Sequence, residues 1–175
     1  GIDQTFCEDK IKASLTGFLT WIKNITLSRR LPNGKWRRFN GERRVSKGFE
    51  MAFSLKPIKT LEIKTALTVI HARDFPHHKT SPFIPTFKGA GEIHWQALSD
   101  LSFFVQGYGV TSRKNNQPRR RLAPYGVLHL GGAHDINQHI AFFGRIENLT
   151  NKHYEEAFGY GSRGRAFFIG VEAKT

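Results

Sequence analysis

Apolar and polar residues alternate along most of this chain. From Ile11 to Leu27 the odd positions read Ile11, Ala13, Leu15, Gly17, Leu19, Trp21, Lys23, Ile25 and Leu27, and the even positions between them are mostly hydroxyl, amide or charged. A period of two marks a strand whose two faces meet different surroundings. The pattern returns at Phe49, Met51, Phe53 and Leu55 against Glu50, Ala52, Ser54 and Lys56. It returns at Leu61–Val69, Ile93–Ala97 and Leu101–Val105. Near the end, Ile140, Phe142 and Ile146 oppose Ala141, Arg145 and Glu147, and Phe167, Ile169 and Val171 oppose Phe168, Gly170 and Glu172. Tyr125–Ala133 alternates more loosely, with Leu128 and Leu130 as its apolar face. No segment carries a 3.6-residue period, so the class is all-β, with nine strands if residues 1–7 are the tail of one.

The connections sort by length. Short ones fall at residues 7–10, 57–60, 98–100 and 134–138, and long ones at 28–47, 74–85, 113–123 and 149–164. Strict alternation in an up-and-down sheet puts every short turn at one end and every long loop at the other. Outer-membrane barrels have this asymmetry, and tilted strands of about 9–11 residues cross the hydrocarbon layer. Trp21, Trp95, Tyr108 and Tyr125 lie near strand ends and read as interfacial girdle aromatics. Nine strands leave two open edges, whose unpaired backbone groups cost several kcal/mol each in lipid. The expected architecture is therefore an antiparallel up-and-down transmembrane β-barrel to which this chain contributes part of the wall. A complete eight-stranded porin-like barrel, with residues 1–7 outside it, is one alternative. A soluble all-β module is the other.

Composition narrows this. The chain has 175 residues, of which 39% are hydrophobic and 15 are Phe, too apolar for intrinsic disorder. Every apolar run stops well short of the ~18 residues that a membrane helix needs. The single cysteine excludes an internal disulfide framework and a multi-cysteine zinc site. The chain opens at Gly1 without a signal peptide, as expected of an internal piece or of a chain whose leader has been removed.

The net charge is +13, which by default suggests nucleic acid. Its location suggests otherwise. The first long connection and its shoulders carry Arg29, Arg30, Lys35, Arg37, Arg38, Arg43, Arg44 and Lys47, with Glu42 the only acid. The third carries Arg113, Lys114, Arg119, Arg120 and Arg121 and no acid. Nearly all of the excess thus lies at one end of the sheet, where guanidinium groups would pair with carboxylate or phosphate and concentrate anions. The expected partners are outer-membrane lipid and lipopolysaccharide, and an anionic small-molecule ligand. Trp36 and Phe39 among the arginines would permit base stacking, but nothing else resembles a nucleic-acid module. His77-His78 is a weak metal candidate. Arg145 and Glu147 share a face as an ordinary ion pair. No phosphate loop, HExxH or Ser/His/Asp constellation is present, so neither enzymatic activity nor a cofactor is expected.

The C-terminal residues are more specific. Arg145-Ile146-Glu147-Asn148-Leu149-Thr150-Asn151-Lys152-His153-Tyr154-Glu155 resembles the "(V/I)xNLxDKxYE" segment of TonB-dependent outer-membrane receptors. Gly159–Val171, with Gly164, Arg165 and Phe167, resembles their closing "GYxxPGRxFFxGV". Lys47-Gly48-Phe49-Glu50 followed by Leu55-Lys56-Pro57 is similar to the family's "KGxE…xP" strand. Ser162 or Arg163 stands where the family usually has Pro, and Ala173 and Thr175 stand where it ends on aromatics. The resemblance covers essentially the whole chain. It implies the last nine strands of a twenty-two-stranded barrel in a Gram-negative outer membrane. It also implies import of a scarce nutrient, most often a ferric siderophore or cobalamin, energised by TonB through a plug domain and contact segment that these residues do not include.

Overall fold

A computed structural model describes residues 1–76, 79–115 and 121–173; within its strands the side chains of Leu27, Arg29, Arg30, Phe39, Gly41 and Glu42 lie outside the description. The elements in chain order are β1 (Ile2–Phe6), β2 (Ile11–Arg30), β3 (Trp36–Ile58), β4 (Leu61–Phe75), β5 (Lys79–Thr80), β6 (Phe87–Gln96) and β7 (Leu101–Val110). Then come β8 (Arg113–Lys114), β9 (Arg121–Leu122), β10 (Tyr125–Asp135), β11 (Ile140–Glu147), β12 (Glu155–Ala157), β13 (Tyr160–Gly161) and β14 (Ala166–Ala173). One antiparallel sheet runs β1-β2-β3-β4-β6-β7-β10-β11-β14, with β5 hung on β4, and β8-β9 and β12-β13 forming two small ribbons. The fold is all-β and antiparallel. Among the described residues, no helix is long and apolar enough to cross a membrane.

The register turns the sequence alternation into two surfaces. Directly paired residues share a face, so a row can be followed from strand to strand. One row runs Phe6, Ile11, Leu55, Ile63, Ile93, Val105, Leu130, Ile146, Phe167, and every member is apolar. The adjacent row on the other face runs Thr5, Lys12, Ser54, Lys64, Glu92, Gln106, His129, and every member is polar. Among the described residues the apolar face is largely uncovered: Ile169 is 91% exposed, Phe167 70% and Trp21 65%. A contiguous exposed apolar face of this kind marks a membrane or interaction surface.

Close strand approach explains one of the motif glycines. A side chain at Gly48 would collide with the carbonyl oxygen of Val69, and Phe18 from β2 lies over the bare position at 2.9 Å. The aromatic ring covers the backbone that the missing side chain leaves open.

Three expectations are corrected. Residues 36–47 are not loop but the upper half of β3, which pairs with β2 as far as Arg30↔Trp36, leaving only residues 31–35 as the turn. The hairpin tip from Pro32 to Arg38 is exposed at every residue, so it carries no alternation to reveal it. Residues 2–6 pair with β2, so the eight-stranded arrangement with residues 1–7 outside the sheet does not hold. Finally, Trp21 and Trp95 do lie on the apolar face, one towards each end, whereas Tyr108 and Tyr125 lie on the polar face. Tyr108 has the parity of Gln106, and parity rather than nearness to a strand end decides which surface a residue joins.

Burial is concentrated where the long connections fold back. Leu122, Val127, Tyr125, Ser81, Asp74, Arg113 and Asn148 are all under 9% exposed, and each sits at or beyond the long-loop end of the sheet.

Candidate ligand-facing rim

The rim is held by three local constructions, each traceable to a few residues. The first fixes the connection after β4. Ile70–Phe75 continue past β6, whose first residue Phe87 pairs with Val69; one side stays on β3 and the other takes up β5 through Arg73↔Thr80 and Asp74↔Lys79. Arg44 and Asp74 are direct cross-strand partners on the polar face. Arg44 Nε donates to Asp74 Oδ1 at 2.7 Å and Nη2 donates to Oδ2 at 3.1 Å. Fully buried Ser81 donates from Oγ to Asp74 Oδ1 at 2.6 Å, and its backbone N–H reaches the Ala72 carbonyl at 3.1 Å. Burial of Asp74 raises the cost of its charge, but the hydrogen bonds from Arg44 and Ser81 and the Arg44 charge outweigh that and hold its carboxyl below the usual range.

A depressed folded-state pKa means stability that is complete above the unfolded value, about 3.9, and is lost as pH falls through the folded value. The anchor should therefore keep its full strength through pH 5–8. Limited proteolysis of residues 76–86 is expected to accelerate only below roughly pH 4, whereas Asp74→Asn should show the accelerated rate already at pH 7. Cleavage that does not depend on pH in the native protein would refute this.

The second construction folds the last connection onto the polar face. Asn148 is 4% exposed and takes φ 51°, a left-handed conformation that Asn tolerates better than most residues. Its Nδ2 donates to the carbonyls of Lys152 at 2.9 Å and Arg163 at 3.1 Å, and its Oδ1 accepts from Lys152 N at 2.8 Å. Its own N–H donates to His129 Nδ1 at 3.2 Å, and Leu149 N–H reaches the Leu128 carbonyl at 2.8 Å. Asn151, at φ 52°, accepts from Arg165 N at 2.9 Å. A side chain on Gly164 would meet Asn151 Oδ1 at 2.8 Å. One amide thus ties the start of a sixteen-residue excursion (149–164) to its end.

The third is an aromatic stack above it. Tyr154 lies over Tyr125 with ring centroids 4.0 Å apart, and the Tyr108 and Tyr154 hydroxyls are 3.0 Å apart. Tyr125 Oη donates to Glu156 Oε1 at 3.0 Å. Arg113 Nη2 donates to the Glu155 carbonyl at 2.9 Å while its guanidinium sits 5.4 Å from the Tyr125 ring.

These constructions sort the basic residues. Lys35, Arg37, Arg38, Arg43, Lys47, Lys114 and Arg121 are exposed, as is Trp36 at 68%. Arg44 is paired with Asp74, and Arg113 is 6% exposed within the loop that it secures. Neither is free to face a ligand as the charge pattern suggests: Arg44 is held by Asp74 on the adjacent strand and Arg113 by the Glu155 carbonyl of the last connection. Arg29 and Arg30 occupy the end of β2, but their side chains, like Arg119, Arg120, His77 and His78, lie outside the described residues. Arg145 pairs with Glu147 at 2.9 Å on the polar face. Among the described residues, no group of His, Cys, Asp and Glu could hold a metal ion.

The sequence alone did not single out Asp74 and Ser81, because an acid paired across strands with an arginine thirty residues earlier leaves no local pattern. Tyr108 and Tyr125 could have been linked by parity, since both fall on the polar face; Glu156, on a separate ribbon, could not.

No family model and no curated protein matches the chain. Solved structures do. The copper transporter OprC superposes with a TM-score of 0.80 at 18% identity, covering 94% of this chain and 29% of that one. The ferric enterobactin receptor PfeA of Pseudomonas aeruginosa (a G324V mutant) gives 0.76 at 20% identity, over 98% and 29%. The ferripyoverdine receptor of the outer membrane of Pseudomonas aeruginosa, bound to ferripyoverdine, gives 0.76 at 15%, over 98% and 26%. The chain spans under a third of the length of each. Its fold is that of a section of their outer-membrane β-barrel wall.

Proposed function

We propose that the chain is part of the β-barrel of a TonB-dependent receptor in a Gram-negative outer membrane, where it supplies wall and external loops for import of a scarce nutrient. An anionic ferric siderophore or similar iron complex suits the basic rim best. The observation that carries this reading is the pair of adjacent rows across the sheet, one wholly apolar and one wholly polar. A wall with hydrocarbon on one side and a wet lumen on the other requires that pairing. The apolar face becomes the lipid side, the polar face lines the lumen, and the rim carrying Asn148, Tyr154 and the basic hairpin faces outwards. A soluble nucleic-acid module would have to leave Phe167, Ile169 and Trp21 in water, and nothing on the sheet offsets that.

The test is made in iron-limited cells of the source bacterium. Protein in the outer-membrane fraction, heat-modifiable gel migration, and loss of uptake of at least one ferric siderophore when the gene or TonB is deleted are expected. A monodisperse protein in detergent-free buffer that binds DNA with a steep salt slope would overturn the reading.

The exposed hairpin cations give a second expectation. Replacing Lys35, Arg37 and Arg38 by glutamine should slow association of an anionic ferric complex by roughly tenfold at low salt, with the difference shrinking at high ionic strength. Binding kinetics at two salt concentrations measure this, and a salt-independent deficit would argue for a direct contact instead.

A further inference from the structure

On the lipid side of the sheet, just past the last fully apolar row, three strands form a groove of about 500 Å³. The row Gly17, Phe49, Val69, Phe87 closes the apolar band. The next row outward is Leu19, Lys47, His71, and the one after it Trp21, Val45, Arg73. Each step along a strand covers about 6.6–6.8 Å for two residues. The groove therefore begins where hydrocarbon ends and extends through the depth that lipid headgroups occupy.

Its chemistry changes along that depth. Leu19, Trp21 and Val45 give it an apolar floor. Lys47 and Arg73 stand in it, and Arg43 flanks it with its guanidinium 5.0 Å from the Phe75 ring. Arg73 Nε donates to His71 Nε2 at 2.9 Å, which holds the guanidinium beside the ring. The nearest described acids are on the other face: Asp74 bound to Arg44, and Glu50 paired between Thr16 and Thr68. Three exposed cations thus occupy three successive rows beside an apolar floor, with no carboxylate on their side among the described residues.

We propose that this groove seats an anionic membrane lipid, its headgroup phosphate on Lys47, Arg73 and Arg43 and an acyl chain along Leu19, Trp21 and Val45. The inference rests on the reading of the sheet as an outer-membrane barrel wall and adds a lipid site on its outside, separate from the rim cations that would meet a soluble ligand. Charge complementarity chooses the occupant. Arginine and lysine at the headgroup level bind phosphate with paired or convergent N–H donors, and a zwitterionic or uncharged lipid would leave the three cations unanswered. In the leaflet reached by the long loops, lipid A supplies phosphates at this depth.

The experiment uses the protein extracted from outer membranes in detergent, titrated by native mass spectrometry with bisphosphorylated lipid A, with the same lipid after phosphatase treatment, and with inorganic phosphate. Lipid A should bind at least tenfold more tightly than its dephosphorylated form. The variant R43Q/K47Q/R73Q, all exposed side chains, should lose that preference, while R37Q/R38Q on the hairpin should keep it. Equal binding of the dephosphorylated lipid, wild-type preference in R43Q/K47Q/R73Q, or displacement of lipid by equimolar inorganic phosphate would overturn the site. Heat-modifiable migration is read first on every sample. Protein that lacks it refutes the barrel wall and the groove together, whereas protein that shows it and fails the lipid titration refutes the groove alone.

Discussion

Val105→Arg should abolish assembly of the protein in the outer membrane, while Gln106→Arg, one residue along, should leave it intact. Val105 is mid-strand in β7, between Ile93 and Leu130 in the apolar row. An arginine facing lipid near the bilayer midplane costs about 2–4 kcal/mol, a large fraction of the marginal stability typical of folded proteins. Gln106 belongs to the polar row, and its Nε2 donates to Glu92 Oε2 at 3.4 Å, so an arginine there meets a carboxylate on the wet side. Heat-modifiable migration and protease resistance of isolated outer membranes read both variants. If the two assemble equally well, the assignment of faces is wrong, because no soluble sheet and no inverted barrel gives this pair of outcomes.

The second large effect is expected at Asn148. Asn148→Ala removes both donors to the Lys152 and Arg163 carbonyls and the acceptor of Lys152 N–H. Each buried polar group left without a partner costs about 1–3 kcal/mol, and alanine in a left-handed conformation adds roughly 1 kcal/mol. The sum, about 3–5 kcal/mol after partial rehydration, falls on one excursion and not on the wall. Residues 149–164 should come off the lumen face, separate Tyr154 from Tyr125, and become the first site of proteolytic cleavage while the barrel still migrates as folded. Asn148→Gly relieves the backbone penalty but not the lost bonds, so it should fall between wild type and alanine. Mass mapping of early cleavage products checks the order. Alanine and wild type cut at the same rate would show that the clamp carries nothing.

The wall was legible from residue order because its physics is local: a side chain two positions along returns to the same surface, and that surface is uniformly lipid or uniformly wet. Ile93, Val105 and Leu130 could be assigned without knowing their partners. The rim was not legible in this way. Trp36–Arg38 carry β3 beyond the apolar rows with every side chain exposed, so nothing in their order distinguishes strand from loop. Arg44 and Arg113 look like their neighbours in sequence; only Asp74 on the adjacent strand and the Glu155 carbonyl forty-two residues away single them out. The resemblance marked Asn148, Tyr154 and Gly164, but not that they serve one clamp, since the bonds that join them depend on two left-handed asparagines.

The β2–β3 pairing contains one irregularity above the wall. Its register shifts between Ile22 and Ile25 and again between Ile25 and Thr26, with Asn24 at φ 56°. Each strand gains one residue there, so the odd–even assignment inverts on both arms at once and the pairing resumes in step. An insertion within the wall would turn every later side chain of that strand to the wrong medium. Past this point the constraint no longer applies. Residues 25–42 can therefore be exchanged as a cassette, in length as well as in charge, without disturbing the membrane-spanning part. A graft of a foreign hairpin or an epitope tag at this place should be accepted, and the same freedom leaves the outermost surface of the protein open to rapid divergence.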